Sequence, residues 1–532
     1  MKKQELYYRP EWTCGRYDRE NKAAIMYNLI EGMSFYYEDI TAEVIGCILS
    51  VERNHSFDLP WLSLKSDVKV ESLAPFVQQL TQYGLLTQRI LSQEEITLYR
   101  ENLKTVRRQQ VADNIDALHE MTVVGTASAE RMYMERTGGI TSVMFELTYR
   151  CSEMCLHCYN AGAVRNTSEH SNRGNRKELG IEDYRTVIDE LTDMGVTKVC
   201  LSGGDPFSKD VVWKIMDYLY QKEIAIDVFT NGISIVNDVE RLAKYYPRTL
   251  GISLYSDIPS VHDGITRVKG SHDKTVRFIE HCSRYSIPML LKCCIMKPNV
   301  SSYYTVKDVA YKYGALPQFD LNITDSVDGD KCASTYLRLG HEELEVVLRD
   351  KDLPYYISGD GMKQSVINGN DIMCNAGHNS LCITPEGNVQ PCCAFPLKLG
   401  NIRDASLSVI LKESSQLAWW KKLTVKDCTD CHKHQYCSYC QMCVGNNYIA
   451  HGNPLKASEN NCFLAKERYN LALKMQNGYD PLRGKELYQA LSELQYQKRE
   501  LSRILSVSYR EDARINGVSS NYPCNQQNDV QL

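Results

Sequence analysis

The stretch Cys151-Ser-Glu-Met-Cys155-Leu-His-Cys158 follows the apolar run Thr141–Thr148 and opens into Tyr159-Asn160-Ala161. Three cysteines at x3 and x2 spacing reach three corners of a [4Fe–4S] cube, and no fourth thiolate stands nearby in the chain. One iron is then left open to a small chelating ligand that carries an amine and a carboxylate. The plainer alternatives are a zinc knuckle or three buried thiols, since free cysteine is among the most buried residue types.

Around this stretch, from Thr141 to about Leu321, apolar strands alternate with amphipathic helices. Strands are expected at Val143–Leu147, Lys198–Leu201, Ala225–Phe229, Leu250–Leu254, Met289–Ile295 and Gln318–Leu321, with helices at roughly 182–194, 210–222, 238–246, 272–285 and 301–313. Such βαβ units imply a parallel sheet, and six of them imply a partial barrel. Barrel chemistry sits at the C-terminal ends of strands. Cys151 follows the first strand, Ser202-Gly203-Gly204-Asp205-Pro206 the second and Thr230-Asn231-Gly232 the third; Ile252-Ser253-Leu254-Tyr255-Ser256 lies on the fourth. The stretch His262–Arg267 comes next, without a role that spacing alone assigns. Lys292 on the fifth strand either pairs with a carboxylate or reaches solvent.

A chain of 532 residues should hold about three domains. Its net charge of −5 gives no basic surplus for a nucleic-acid groove. The start, Met1-Lys2-Lys3-Gln4-Glu5, leads into no apolar segment, and no stretch reaches the roughly 18 apolar residues of a membrane helix. A cytoplasmic protein without membrane or nucleic-acid partners is expected. Of 21 cysteines, ten fall between Cys374 and Cys462, which without a secretion signal argues for metal over disulfides.

In the N-terminal hundred residues, 23–37 is aromatic and aliphatic, broken at Glu31-Gly32, which predicts a β-hairpin. Helices follow over Ile40–Leu49 and Leu73–Leu80, then a short strand over 85–91. Residues 93–118 read as a solvated linking helix, 162–180 as a mobile loop, 463–510 as helices and 516–532 as a polar tail. Between Cys374 and Cys392, the run Leu381–Pro391 reads as a hairpin turning at Pro385-Glu386-Gly387-Asn388.

At Cys151, Cys155, Cys158 and the Gly-Gly-Asp turn the sequence resembles the radical SAM superfamily. The resemblance implies an α/β fold, a partial (β/α)6 TIM-like barrel, that binds S-adenosyl-L-methionine and generates a 5′-deoxyadenosyl radical. It carries cofactor contacts over to Gly203, Gly204, Asp205, Pro206, Asn231 and Ser253. The family turn usually ends in glutamate, and Asp205 is one methylene shorter. The later cysteines, Cys428-x2-Cys431-x5-Cys437-x2-Cys440 with Cys374, Cys392, Cys443 and Cys462, resemble the SPASM extension. That resemblance implies two further [4Fe–4S] clusters, three in all: Cys374, Cys392 and Cys440 on the first auxiliary cluster, Cys428, Cys431, Cys437 and Cys462 on the second. The x2 interval before Cys440 departs from the usual x3, so Cys443 competes for that role. Cys382 and Cys393 are extra thiols, either completing the first cluster or packing as small buried hydrophobes. Zinc remains the physical competitor, because paired Cys-x2-Cys elements also hold structural zinc.

The N-terminal pattern resembles the winged-helix leader-recognition domain of enzymes that modify ribosomally made peptides, the plainer alternative being a generic helical cap on the main domain. Together the resemblances imply this order: 1–92 leader recognition, 93–139 linking helix, 140–330 barrel, 331–470 SPASM extension, 471–532 C-terminal helices and tail. They imply an oxidoreductase that matures a precursor peptide with a leader, forming a thioether or carbon–carbon cross-link, with flavodoxin or ferredoxin as electron donor. The alternative is a protein-maturing oxidoreductase of the formylglycine-generating, sulfatase-maturase type. A non-catalytic electron-transfer scaffold would leave the open-site cysteines and Gly-Gly-Asp without use.

Overall fold

In the computed structural model, which describes residues 5–113, 128–160, 178–327, 332–358, 368–431 and 433–494, the chain begins with two small sheets. Strands β1 (Tyr7–Tyr8) and β5 (Ser56–Phe57) pair with each other. Strands β2 (Thr13–Asp18), β3 (Ala23–Asn28) and β4 (Met33–Glu38) form an antiparallel meander in that order. The expected hairpin is β3–β4, and β2 adds a third strand. All six residues of β3 are buried. Side chains alternate across a strand, so Ala24 and Met26 face the helices Asp39–Leu49 and Val70–Gln82, while Ala23, Ile25 and Tyr27 face Trp12, Tyr133 and Tyr246. The expected strand over 85–91 is not one. Leu85 and Leu86 are buried beneath the preceding helix, both bonding Leu80 O, and a single bridge joins Thr87 to Tyr8.

The middle of the chain supplies six parallel strands side by side in sequence order: β6 (Ser142–Glu146), β7 (Lys198–Ser202), β8 (Ala225–Thr230), β9 (Thr249–Ser253), β10 (Met289–Cys294) and β11 (Leu316–Asp320). β11 starts two residues earlier than expected. Helices Ile181–Asp193, Val212–Gln221, Val239–Ala243, Ser271–Arg284 and Thr305–Tyr313 separate them, as a partial barrel requires. A further helix, Pro259–Thr266, lies between β9 and β10.

The sheet does not end at β6. β12 (Ser380–Ile383) joins it parallel, from Ser380 opposite Ser142 to Ile383 opposite Phe145, and β13 (Asn388–Gln390) and β14 (Gly400–Asn401) continue it antiparallel. The expected hairpin is therefore part of the barrel sheet, which has nine strands among the described residues. Its turn needs Gly387, at φ +89°, a conformation that L side chains rarely adopt.

The N-terminal sheet docks at the barrel's floor, the N-terminal ends of its strands. Arg16 donates to Lys222 O (2.6 Å) and Val196 O (3.1 Å), the fully buried Arg9 pairs with Glu223, and Arg53 donates to Tyr220 O (3.0 Å). An ion network seals that floor: Arg248 binds Asp227 through Nε (3.0 Å) and Nη2, and Glu130 through Nη1 (3.3 Å). Glu130, on the helix over residues 128–137, also takes Lys198 and the Tyr27 hydroxyl (3.4 Å). The linking helix, Gln93–Asp113, is more than a solvated rod. Its Ile96 is buried against the N-terminal sheet, and Arg100 donates to Ala243 O (3.1 Å).

The extension adds the helices Leu407–Glu413, Ser415–Trp420, Val444–His451 and Glu459–Gln476. Most of the expected loop 162–180, the part of the expected helices beyond residue 494 and the expected tail 516–532 lie outside the described residues. Among the described residues no helix is long and apolar enough to cross a membrane.

Candidate functional site

The cysteine loop is held from both sides by backbone. On one side Gly204 N–H donates to Thr148 O (2.6 Å) and Asp205 N–H to Arg150 O (2.9 Å). A Cβ on Gly203, at φ +128°, would stand 2.3 Å from Thr148 O, and one on Gly204 2.3 Å from Arg150 O. The two glycines thus let the second loop close directly on the three residues before Cys151. On the other side Met154 N–H bonds Thr266 O (2.9 Å) and Leu156 N–H bonds Ile265 O (3.0 Å), at the end of the helix Pro259–Thr266. Asp263 fixes that helix by accepting from Gly270 N–H (2.6 Å), His272 N–H (2.9 Å) and the Ser271 hydroxyl (3.0 Å). His262 is a packing residue. Its Nδ1 accepts from Tyr255 N–H (3.3 Å), and burial pushes its pKa down to about 3.

Asp205 is fully buried and spends both oxygens inside the protein. Oδ2 accepts from the Thr230 hydroxyl (2.6 Å) and Asn231 N–H (3.1 Å), Oδ1 from Phe207 N–H (3.0 Å), and burial raises its pKa. It ties the second loop to the third, while Pro206 opens the short turn Pro206–Ser208. Asn231 then reaches the cysteines, with Nδ2 3.1 Å from Ser152 Oγ and 3.5 Å from Cys151 Sγ. Ser253 ends β9 half-buried, opposite Lys292 in register, and Tyr255 points its hydroxyl at Cys155 Sγ (3.9 Å). Lys292 Nζ lies 3.7 Å from the centre of the Phe229 ring.

The donor set suits an iron–sulfur cube. Glu153 N–H, Asn231 and Tyr255 all direct donors at the sulfurs of Cys151 or Cys155. Burial pushes the Cys151 thiol up to about 12, so only a bound metal would hold it as thiolate. Sequence reasoning missed Glu146. It ends β6 buried, accepts from the Tyr159 hydroxyl (2.7 Å), and burial pushes its pKa up to about 7, with Glu386 and Cys392 adding to the effect. The available signal was a lone acid in an apolar strand just before the cysteine loop.

The extension separates its cysteines into two groups. Cys428, Cys431, Cys437, Cys440 and Cys462 gather together: Cys428 Sγ lies 2.8 Å from Cys431 Sγ, and Cys431, Cys437, Cys440 and Cys462 line one pocket with Met442 and Asn461. Cys374, Cys392 and Cys443 form the other group, within electrostatic reach of one another. Cys440 therefore stands with the second group, not with Cys374 and Cys392 as expected. The x2 spacing leaves it one turn from Cys437, its N–H bonded to Cys437 O (3.1 Å). Cys393 Sγ is 4.0 Å from Cys392 Sγ, and Cys382 is buried in β12 beside Glu146 and Cys392.

A parallel barrel with three thiols on its first loop, and a thiol-rich extension woven into its sheet, define an iron–sulfur protein with a small-ligand site at the strand ends. The chain carries a radical SAM domain and a SPASM domain. The model of the radical SAM superfamily matches residues 145–299, and that of the SPASM iron–sulfur cluster-binding domain matches 374–444. The chain accordingly binds S-adenosyl-L-methionine and a [4Fe–4S] cluster in the barrel, with further clusters in the extension. It is similar to the antilisterial bacteriocin subtilosin biosynthesis protein AlbA of Bacillus subtilis, 28% identical over 56% of this chain and 66% of that protein. It is likewise similar to the mycofactocin maturase MftC of Mycolicibacterium smegmatis, 28% identical over 47% of this chain and 63% of that one. An AdoMet-dependent heme synthase of Methanosarcina barkeri is 24% identical over 59% of this chain and 94% of its own length. The chain thus spans just under two thirds of the length of the first two.

Proposed function

We propose that this protein matures a ribosomally made precursor peptide, holding the leader on its N-terminal unit and removing a hydrogen atom from the core peptide so that a thioether or carbon–carbon cross-link forms. The observation that carries this reading is the edge of the N-terminal sheet. Among the described residues β4 is paired only with β3. Beside it, Phe76 and Tyr83 from the helix Val70–Gln82 and its end meet Tyr37 and Phe35, with ring centres 5.8 and 4.8 Å apart. An extended peptide added to such an edge gains main-chain hydrogen bonds for affinity and side-chain pockets for selection. The likeness to a bacteriocin biosynthesis protein and a mycofactocin maturase supports a peptide substrate. The heme-synthase likeness favours a small-molecule substrate instead, but gives the open edge no work.

In this reading Cys151, Cys155 and Cys158 hold the cube, and Gly203, Gly204 and Pro206 set the loop against which its ligand rests. Asp205 braces that loop, Asn231 orients Cys151, and Ser253 lines the ligand site. A cluster held by these cysteines, with S-adenosyl-L-methionine and a flavodoxin or ferredoxin as one-electron donor, would supply a 5′-deoxyadenosyl radical, and clusters held by the extension's cysteines would hold substrate or accept the electron left after cross-linking. Because the N-terminal unit sits on the barrel floor, the core peptide has to pass around the barrel wall to reach the cysteine loop. A flexible tether still gives a local concentration of order millimolar.

Deleting residues 1–92 would strip Arg9, Trp12 and Arg16 from the barrel floor, so a single substitution tests the reading more cleanly. Phe76→Glu should weaken binding of a labelled leader about tenfold or more, ~1.4 kcal/mol. Cross-linked product, read by mass as the loss of two hydrogen atoms, should fall with it, while peptide-free cleavage of S-adenosyl-L-methionine persists. Unchanged leader affinity together with a full product yield would end this reading.

A further inference from the structure

Cys440 occupies the position in the cysteine run that the SPASM pattern gives to the first auxiliary cluster, yet it faces the second group. Its electrostatic neighbours are Cys462, Cys437 and Cys428. The turn Gln435–Tyr439 that carries it is fixed to the helix of Cys462 by Arg468, which donates to Tyr439 O. The second group therefore holds five thiols, one more than a [4Fe–4S] cube takes.

Cys443 is built into the first group by two independent features. It precedes the helix Val444–His451, whose Gly445 lies so close to the Cys392 turn that a Cβ there would stand 2.0 Å from Ala394 O. The aromatic trio Phe395, Trp420 and Tyr448 pins the segments together: Phe395 contacts Trp420 (5.0 Å) and Tyr448 (5.2 Å), and Trp420 Nε1 donates to Ala376 O (2.6 Å), two residues beyond Cys374.

We infer that Cys374, Cys392 and Cys443 hold the first auxiliary cluster and that Cys440 is a fifth thiol of the second site, serving neither as ligand to the first nor as an indispensable ligand to its own. The inference rests on the extension binding two clusters but not on any substrate. It is tested on the full chain after anaerobic reconstitution, by iron counting and by electron paramagnetic resonance of the reduced protein. Wild type should hold about twelve irons, C443A about eight with one auxiliary signal lost, and C440A about twelve with both auxiliary signals kept. C443S, which retains a small donor, should recover the missing iron with a shifted signal and so separate ligand loss from misfolding. Loss of about four irons from C440A, or none from C443A, overturns the assignment. A wild-type count of about four irons would instead overturn the two-cluster reading of the extension.

Discussion

Replacing Glu146 by Gln should make the barrel more stable at alkaline pH and leave it unchanged at acid pH. Glu146 is 3% exposed, and burial pushes its pKa from 4.5 up to about 7. A carboxyl raised in this way favours the protonated folded state. Below pH 4.5 folded and unfolded chains are both protonated there, and the residue costs nothing. Between pH 4.5 and 7 the unfolded chain releases the proton while the folded one keeps it, so stability falls by about 1.4 kcal/mol per pH unit. Above 7 the loss levels off at about 3 kcal/mol, from the difference between 7 and 4.5. Glutamine carries no such proton, yet its amide oxygen still accepts from the Tyr159 hydroxyl, as Oε1 does at 2.7 Å. Urea unfolding of wild type and Glu146→Gln at pH 5, 6, 7 and 8 should therefore show the variant pulling ahead across the series, by about 3 kcal/mol at the end. A gap that does not change with pH would show that Glu146 is solvated or paired in a way this geometry does not contain.

Two further substitutions test the frame. Gly203→Ala puts a methyl 2.3 Å from Thr148 O at a φ of +128°, so the cysteine loop must shift; iron counting should show about four irons lost, all from the barrel cluster, with both auxiliary signals intact. Arg248→Met leaves Asp227 and Glu130 facing each other at the barrel floor without their shared cation, a change of about 3–5 kcal/mol for a buried pair broken on one side. A drop of under about 1 kcal/mol in urea unfolding would mean that water already reaches the network.

The barrel was legible in the sequence because each parallel strand is a short apolar run and each helix repeats its apolar face. Contacts between distant segments were not. Nothing in Ser380–Ile383 announces that it lies beside β6, since register between remote strands is set by the whole sheet. β2 was overlooked because Thr-Cys-Gly-Arg-Tyr-Asp carries Gly15 and Arg16, whose reasons lie elsewhere: a Cβ on Gly15 would stand 2.4 Å from Ile25 O, and Arg16 caps carbonyls of the barrel floor. The helix Pro259–Thr266 runs from an exposed start at Pro259 and Ser260 into five consecutive buried residues, His262–Thr266, a pattern that no alternation of apolar and polar types announces. At the site, the motif residues fell where the spacing put them, but two uses were different. The glycines admit the backbone of the cysteine loop, and the Asp205 carboxylate is spent on Thr230, Asn231 and Phe207. The division of the last cysteines between two groups depends on how the Cys392 turn meets Gly445, which no interval between cysteines encodes.

The strand β12 also governs how this protein can be taken apart. A barrel cut off before residue 374 would leave β6 with one flank of bare N–H and C=O groups, a ready template for pairing with another chain. Such a fragment should self-associate, and its insolubility would say nothing about whether its cluster forms. Exchange of extensions between relatives meets the same obstacle, because the incoming hairpin must match Ser142, Val143, Met144 and Phe145 along the seam. The frame that carries the radical chemistry and the one that carries the auxiliary clusters share one sheet, as one continuous piece of weaving.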